Sequence, residues 1–247
     1  MNKVDLKNLF KEYVAAFDMN DPAIARKYYH SLRVMDLSML IAKYSNVSKE
    51  NIEIVAIAAL LHDYARFPQW LKYKTYSDIE SIDHGDLAIE LLFENSMINK
   101  FCKEVKYYDE IYDAIKYHNK LSIPEKLSEH NKLLCKIIRD ADKLDIFYLF
   151  SVNKDLILED DATISLDVEE NFYLKKSVEY KKIKNKSDKI LLDLAFVYDL
   201  NFDYSFKYLK ETKLIDKIYE SIENKEKYKK YFDFINKYID ERIGLIC

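Results

Sequence analysis

Apolar residues recur every three or four positions along most of the chain, and this spacing predicts amphipathic helices. The first clearly marked helix begins at Asp21 and Pro22, because these residue types are favoured at the N-cap and at the first helical position. We predict that this helix also contains His30 and Arg33. Two ionisable side chains are therefore expected on a helix that packs on the core.

A second predicted helix begins near Ser48 and is apolar at every position from 54 to 61. A helix that is apolar on all sides is expected in the interior of the fold. The sequence that follows is His62, Asp63 and Tyr64, so an ionisable pair ends a buried helix. Such a pair costs free energy unless it is hydrogen-bonded or binds a metal ion, and the sequence therefore predicts a polar site here.

The helical pattern continues in the following segments. The polar stretch 68–83 predicts a loop or short helices, and apolar spacing then predicts helices at about 84–93, 109–118 and 128–150. The periodicity weakens over residues 151–186, where the pattern fits a strand, an extended loop or a short lid.

Helical periodicity then returns at Ser187, with further helices predicted through LLDLAFVYDL, at 204–222 and at 227–243. No stretch rich in Gly, Pro or Ser precedes them, so we predict that they pack on the same domain. The predicted organisation is a single domain over residues 1–247. It has a motif-bearing core at about 21–150 and a C-terminal helical extension at about 151–247.

Composition supports an all-α fold. The chain has 2 glycines and 3 prolines among 247 residues, too few for the frequent tight turns of an all-β protein. Hydrophobic residues make up 49% and charged residues 33%, a balance typical of a folded globular chain rather than a disordered one. We therefore expect a bundle of helices around a full hydrophobic core.

Charge and cysteine content limit the partners and the compartment. The net charge is −4, so no overall positive field attracts duplex nucleic acid or an anionic membrane. The longest apolar run, 54–61, is too short to span a bilayer, and the N-terminal segment lacks the apolar region of a signal peptide. The 3 cysteines form no CxxC pair, which argues against a disulfide framework or a thiolate zinc site. We expect a cytoplasmic protein; the pattern does not indicate its oligomeric state.

Four of the 5 histidines fall on or at the ends of predicted core helices. The chain reads HSLRV at His30, LLHDYARF at His62 and Asp63, and RDADKLD around Asp142. This ordered set resembles the signature of the HD superfamily of metal-dependent phosphohydrolases, over roughly residues 26–150. Two additional histidines, in the segments DHGDLAIELLF and AIKYHN, make the match more specific.

The resemblance implies an all-α HD-domain helical bundle with a metal site in its core. It further implies a six-ligand site for two divalent ions, formed by His30, His62, Asp63, His84, His118 and Asp142. Asp63 would be shared by both ions. Imidazole nitrogens and carboxylates suit Fe, Mn, Co, Ni or Zn. His130, at the start of a predicted helix, lies outside this motif.

Three acidic residues, Asp140, Asp142 and Asp145, fall on the same predicted helix. Helical geometry puts Asp142 and Asp145 on the same side and turns Asp140 away from Asp142, so spacing alone leaves two candidates. The resemblance selects the Asp of Ala-Asp-Lys, which is Asp142.

Cationic residues lie close to the expected ligands. Arg33 is three residues after His30 and Arg66 is four after His62, so each shares a helix face with a ligand if its helix continues. The resemblance also points to Lys143, although a helical wheel puts this residue opposite the apolar stripe. Guanidinium groups beside a metal site indicate an anionic substrate.

The expected function is hydrolysis of a phosphate ester or anhydride, in a nucleotide or a related phosphorylated small molecule, by a metal-activated hydroxide. Asp63, Arg33 and Arg66 are the expected catalytic residues. Arg33, Arg66 and Lys143 are expected to bind the substrate. Two alternatives stay open: a di-iron oxygenase of the HD type, and a regulatory module that binds a nucleotide without turnover.

Overall fold

The computed structural model describes residues 3–244 and divides the chain into two compact units, Met1–Ala141 and Asp142–Cys247. Helices account for 71% of the chain, and no strand occurs among residues 3–244. The predicted all-α fold is confirmed. Packing of residues 151–247 on the same domain stays a prediction. No helix in the described part of the chain is long and apolar enough to cross a membrane.

The helices of the first unit follow one another with short connections. In chain order they are α1 (Lys3–Val14), α2 (Pro22–Tyr44), α3 (Lys49–Leu61), α4 (Arg66–Tyr73), α5 (His84–Ile89), α6 (Ile98–Phe101) and α7 (Tyr108–Lys116). A π-helix (Glu90–Glu94) continues α5, and a 3-10 helix (Val105–Tyr107) precedes α7. The long helix α8 (Glu129–Val152) begins in the first unit and ends in the second.

The second unit continues from α8 with shorter helices. They are α9 (Leu166–Tyr173), α10 (Lys186–Leu194), α11 (Asp203–Thr212), α12 (Leu214–Ser221) and α13 (Lys225–Arg242). Three 3-10 helices lie between them, Lys154–Leu156, Tyr180–Lys182 and Ala195–Asp199. Within this unit α13 packs against α11 and α12, and α10 packs against α9.

The helix starts that the sequence marked are found in the structure. The Asp21 carboxylate accepts a hydrogen bond from the Ala23 N–H at 2.9 Å, and Pro22 is the first residue of α2. The Ser48 hydroxyl accepts from the Asn51 N–H at 3.2 Å and caps α3. Side-chain oxygens at the N-cap satisfy N–H groups that have no partner within the helix, and for this reason these starts were predictable.

Three segments differ in detail from the sequence pattern. The predicted helix 204–222 is divided into α11 and α12, because Lys213 adopts a left-handed backbone with a φ of 55°. The predicted helix 109–118 ends earlier, at Lys116. The segment 151–186, which the pattern left undecided, contains α9 and two of the 3-10 helices, and its described residues form no strand.

Helix α3 is the centre of the first unit. Every residue from 54 to 61 is buried, and the helix packs against α2, α7 and α1. An apolar helix that is covered on all sides gains free energy from each buried side chain, so α3 is held firmly in the core. Its C-terminal end therefore has a fixed position, and His62 is the next residue.

An aromatic cluster covers the turn that follows α3. Phe10 of α1 is fully buried and stacks on Tyr28, with an interplanar angle of 9°. It also meets Phe67 edge to face, with ring centroids 5.8 Å apart. Tyr13 stacks on Tyr64 with centroids 3.8 Å apart and donates from its hydroxyl to the Tyr64 carbonyl at 2.9 Å. Helix α1 thereby fixes Tyr64 within the turn and Phe67 just after it.

We expect Phe10→Ala to lower the free energy of unfolding by about 3–5 kcal/mol, because it leaves a cavity in a closely packed aromatic cluster. Chemical denaturation monitored by circular dichroism measures this change. Val4→Ala on the same helix, at a side chain that is 65% exposed, is the matched control and should change stability by less than about 0.5 kcal/mol. Equal stability of the two variants would contradict the role given to the cluster.

Candidate metal centre

The His62–Asp63 pair lies in a tight turn at the end of α3. His62 follows the last helical residue, and the Tyr64 N–H donates to the Leu61 carbonyl at 3.0 Å. The Arg66 N–H donates to the Asp63 carbonyl at 2.9 Å. The condition under which Arg66 would share a helix face with His62, that α3 continues through Arg66, is not met, since the chain turns over residues 62–65 and Arg66 begins α4.

Asp63 forms a first group with two histidines. Helix α2 supplies His30, whose Nε2 lies 3.2 Å from Nε2 of His62. Oδ2 of Asp63 lies 3.3 Å from Nε2 of His30 and 3.5 Å from Nε2 of His62. All three residues are buried, and their atoms are close enough to bind one metal ion.

The same carboxylate belongs to a second group. Nε2 of His84, at the start of α5, lies 3.5 Å from Oδ1 of Asp63 and 2.9 Å from Nε2 of His118, which follows α7. These three residues are also buried and could hold a metal ion. The two oxygens of Asp63 therefore face two different histidine pairs.

Close backbone approach brings His84 and His118 together. A Cβ atom on Gly85 would lie 2.6 Å from Oδ1 of Asn119 and 3.2 Å from the Lys116 carbonyl oxygen, so a larger residue would displace the Asn119 side chain and press against the end of α7. The chain after α7 is fixed by the buried guanidinium of Arg139. Its Nη1 donates to the Tyr117 carbonyl at 3.0 Å and to the His118 carbonyl at 3.3 Å.

Hydrogen bonds at the other ring nitrogens determine the histidine tautomers. Nδ1 of His62 lies 2.7 Å from the Ala59 carbonyl, and Nδ1 of His118 lies 2.6 Å from the Ile115 carbonyl. Nδ1 of His84 lies 2.6 Å from Oδ2 of Asp78. Carbonyl and carboxylate oxygens only accept, so each Nδ1 carries the hydrogen. In the neutral rings, Nε2 then presents a lone pair to the centre of the site.

This arrangement fits a divalent metal ion. Two lone pairs that face each other at 2.9 Å, as at His84 and His118, repel unless a cation lies beside them. Burial and then the Arg66 charge lower the pKa of His84, which favours the neutral ring, although Asp78 opposes this effect. Neutral imidazole nitrogens and a carboxylate are ligands for divalent transition metals, and the site is consistent with such binding.

Two cations balance the charge of Asp63. Lys27 Nζ donates to Oδ2 at 2.6 Å, and Nε of Arg66 lies 3.4 Å from Oδ1. Burial would raise the pKa of the Asp63 carboxyl, but Lys27, His62, His30 and Arg66 together hold this pKa well below its ordinary value. The carboxylate is therefore ionised although its side chain is 3% exposed.

Arg66 connects this carboxylate to a second one. Its Nη1 donates to Oδ1 of Asp78 at 2.8 Å, to the Gln69 side-chain oxygen at 2.7 Å and to the Tyr76 carbonyl at 2.6 Å. The Gln69 amide also donates to Oδ1 of Asp78, at 3.1 Å. Burial opposes ionisation of Asp78, yet His84 and Arg66 lower the pKa of this carboxyl far below its ordinary value. Asp78 thus orients His84 and is itself held by Arg66.

The sequence missed Lys27, Gln69 and Asp78. Lys27 lies three residues before His30, and Arg33 was identified because it lies three residues after His30. The same helical spacing could therefore have identified Lys27. Asp78 lies in the polar segment between α4 and α5, where no periodicity marks it. Arg33 is half-buried on α2, as expected from its position one turn after His30.

The acidic residues of α8 differ in burial. Asp140 and Asp145 are fully buried and Asp142 is half-buried, while the two groups described above do not include them. Binding of a metal ion by Asp142 stays a prediction. Lys143, which the helical wheel put opposite the apolar stripe, is buried and pairs with Asp199 at 2.7 Å. The wheel missed this burial because it considers one helix without its neighbours.

We expect Arg66→Ala to lower the free energy of unfolding by roughly 2–3 kcal/mol, because two buried or half-buried carboxylates lose their shared partner. Thermal and denaturant unfolding of the metal-free protein measures the effect. Lys72→Ala on the same helix, an exposed position, is the control and should stay within about 0.5 kcal/mol of the parent. Unchanged stability in Arg66→Ala would rule out this bridging role.

Comparison with known proteins agrees with this geometry. A family model described as HD domain matches residues 28–146, a segment that contains both histidine pairs and Asp63. No curated protein and no solved structure matches the chain. Residues 28–146, with their buried His and Asp groups, therefore match the HD domain family.

Proposed function

We propose that the protein is a metal-dependent phosphohydrolase, which cleaves a phosphate ester or anhydride in a nucleotide or a related small molecule. One observation carries this proposal: the two oxygens of the buried Asp63 carboxylate face two separate histidine pairs. A carboxylate that serves two such groups is the arrangement expected of a binuclear centre. The match of residues 28–146 to the HD domain supports a metal-dependent hydrolase.

The proposed centre holds two divalent ions. His30, His62 and Asp63 would bind the first, with Asp142 as a further ligand, and Asp63, His84 and His118 would bind the second. Among the described residues neither group includes a Cys, and a mixed imidazole and carboxylate set favours Fe, Mn, Co, Ni or Zn. Such ions, when bound, polarise a phosphoryl oxygen and acidify a water molecule.

The chain's own cations would bind and orient the phosphate. Lys27 and Arg33 lie one turn before and one turn after His30 on α2, and the Lys27 side chain is 19% exposed. Nη1 of Arg66 is fully used by protein acceptors, whereas its Nη2 has no acceptor among residues 3–244. That nitrogen is therefore available to a substrate oxygen. Positive groups that the fold already holds in position stabilise the negative charge that develops on phosphoryl oxygens during the reaction.

Tyr76 keeps two of these cations together. Lys27 Nζ lies 5.3 Å from the centre of its ring and Cζ of Arg66 lies 5.7 Å from it, within the range of cation–π attraction. The Tyr76 hydroxyl donates to the Ala23 carbonyl at 2.9 Å, which ties the ring to α2. A ring fixed between two cations limits their motion and holds them in position for an anion. The roles of Arg33, Arg66 and Lys143 in substrate binding are part of this proposal.

We expect the protein to bind two metal ions per chain, and Asp63→Ala to lose most metal binding and all phosphohydrolase activity, because one carboxylate serves both ions. Elemental analysis combined with a panel of phosphomonoesters, phosphodiesters and nucleotides measures both properties. His130→Ala, at an exposed histidine of α8, should keep both. At most one bound ion, or full activity of Asp63→Ala, would contradict the assignment. Dioxygen uptake by iron-loaded protein without phosphate release would instead support an oxygenase.

We expect Arg33→Ala to reduce kcat/KM roughly ten- to hundredfold, which corresponds to the loss of a charge-assisted contact of about 1.5–3 kcal/mol to a phosphate oxygen. Metal content should stay at the parent value. Arg33→Lys should recover only part of the rate, since an ammonium group cannot bind two oxygens in the way a guanidinium does. Lys43→Ala, an exposed position on the same helix, is the control. If Arg33→Ala keeps the kcat/KM of the parent protein, cations other than Arg33 bind the phosphate.

A further inference from the structure

A cavity lies within the second unit, and none of its lining residues belongs to the two histidine groups. Its volume is about 140 Å³. The buried side chains of Phe147, Ile190, Leu194 and Ile218 line it, and they come from α8, α10 and α12. Protein interiors rarely leave a space of this size, and apolar walls give water few hydrogen-bond partners. The space is therefore suited to an apolar group.

The outer wall of the cavity is anchored at several points. Residues 156–158 form this wall, and Leu158 is 56% exposed. The next residue, Glu159, accepts from the Glu223 N–H at 2.7 Å and from the Asn224 N–H at 3.1 Å. Asp160 then accepts from the Lys186 N–H at 2.8 Å, at the start of α10. These bonds hold the wall against two helices, so the cavity does not depend on a loose loop.

The charged groups of the cavity lie on one face of α10. Lys186, Lys189 and Asp193 are spaced by three and four residues and all line the cavity. Lys189 donates to the Asp193 carboxylate, whose side chain is 14% exposed, so this pair is electrically neutral. Lys186 is exposed, and its ammonium group has no carboxylate partner among the described residues. One positive charge is therefore left at the edge of an apolar space.

We propose that this cavity binds a small monoanion with an apolar body, such as an aromatic or short-chain carboxylate. The body would lie between Phe147 and Ile218, and the anionic group would lie at Lys186. A cavity of about 150 Å³ with walls of Leu, Ile and Phe holds one benzene ring, so the body has the size of a phenyl group or a short alkyl chain. This site is independent of the proposed phosphohydrolase activity, and no step of that activity passes through it.

The charge pattern separates the proposed ligand from its alternatives. A cationic ligand would need the Asp193 carboxylate, which is already paired with Lys189, and it would be repelled by Lys186. A neutral ligand would bury the same apolar surface without the contact to the ammonium group. The anion therefore binds most tightly of the three, and the exposed position of Lys186 limits its advantage over the neutral ligand to about three- to fivefold.

The experiment compares three probes of one shape: 3-phenylpropionate, its neutral amide and 3-phenylpropylamine. Isothermal titration calorimetry and ligand-observed NMR on the full chain give the affinities. We expect the order carboxylate, amide, amine, with the carboxylate ahead of the amide by about three- to fivefold at low salt and by less at high salt. Equal affinity of the carboxylate and the amide, tightest binding of the amine, or no binding of any probe would overturn the proposal.

Variants locate the binding. Lys186→Gln should reduce carboxylate affinity to that of the amide and leave amide binding unchanged, while Lys207→Gln, an exposed lysine of α11, should change neither. Ile157→Trp should fill the cavity and remove binding of both probes. Circular dichroism verifies folding of each variant, and Lys186→Gln alters only an exposed side chain, so its result is decisive even if Ile157→Trp fails to fold. Parent affinity in Lys186→Gln would contradict the site.

Discussion

Removing a carboxylate from water costs free energy, and Asp63 is removed from water almost completely. Lys27 and Arg66 lie on opposite oxygens of this group and offset that cost, while His62, His84 and His118 around it present nitrogen lone pairs that favour a further cation. The rest of the first unit is arranged around this balance. A substitution that removes one positive partner leaves the charge of the Asp63 carboxylate incompletely compensated in the interior.

The position of Asp63 depends on parts of the fold that contribute no metal ligand and no charged group to the site. The apolar sequence of α3 buries the helix on all sides and fixes where it ends. The aromatic side chains of α1 then cover the turn, and Gly85 lets α5 approach the end of α7 closely enough for His84 to meet His118. The site is thus a consequence of helix packing, since its residues lie on or at the ends of separate helices that pack together.

The sequence predicted the helices well where a capping residue or an apolar run marked them, as at Asp21, Ser48 and residues 54–61. It also predicted the histidines and Asp63, because their order along the chain matched a known family. It failed where the outcome depends on three-dimensional neighbours. The break at Lys213 and the contact of Asp78 with His84 leave no periodic trace in one sequence.

The central claim is that Nε2 of His62, His84 and His118 presents a lone pair to a common centre around Asp63. Nitrogen-15 NMR of the imidazole rings tests this claim most directly, because two-bond couplings show which ring nitrogen carries the hydrogen. In metal-free protein at neutral pH, we predict hydrogen on Nδ1 of all three rings, and a shift of their Nε2 signals when Zn²⁺ is added. Hydrogen on Nε2 of His84 and His118, with signals that Zn²⁺ does not move, would contradict the account.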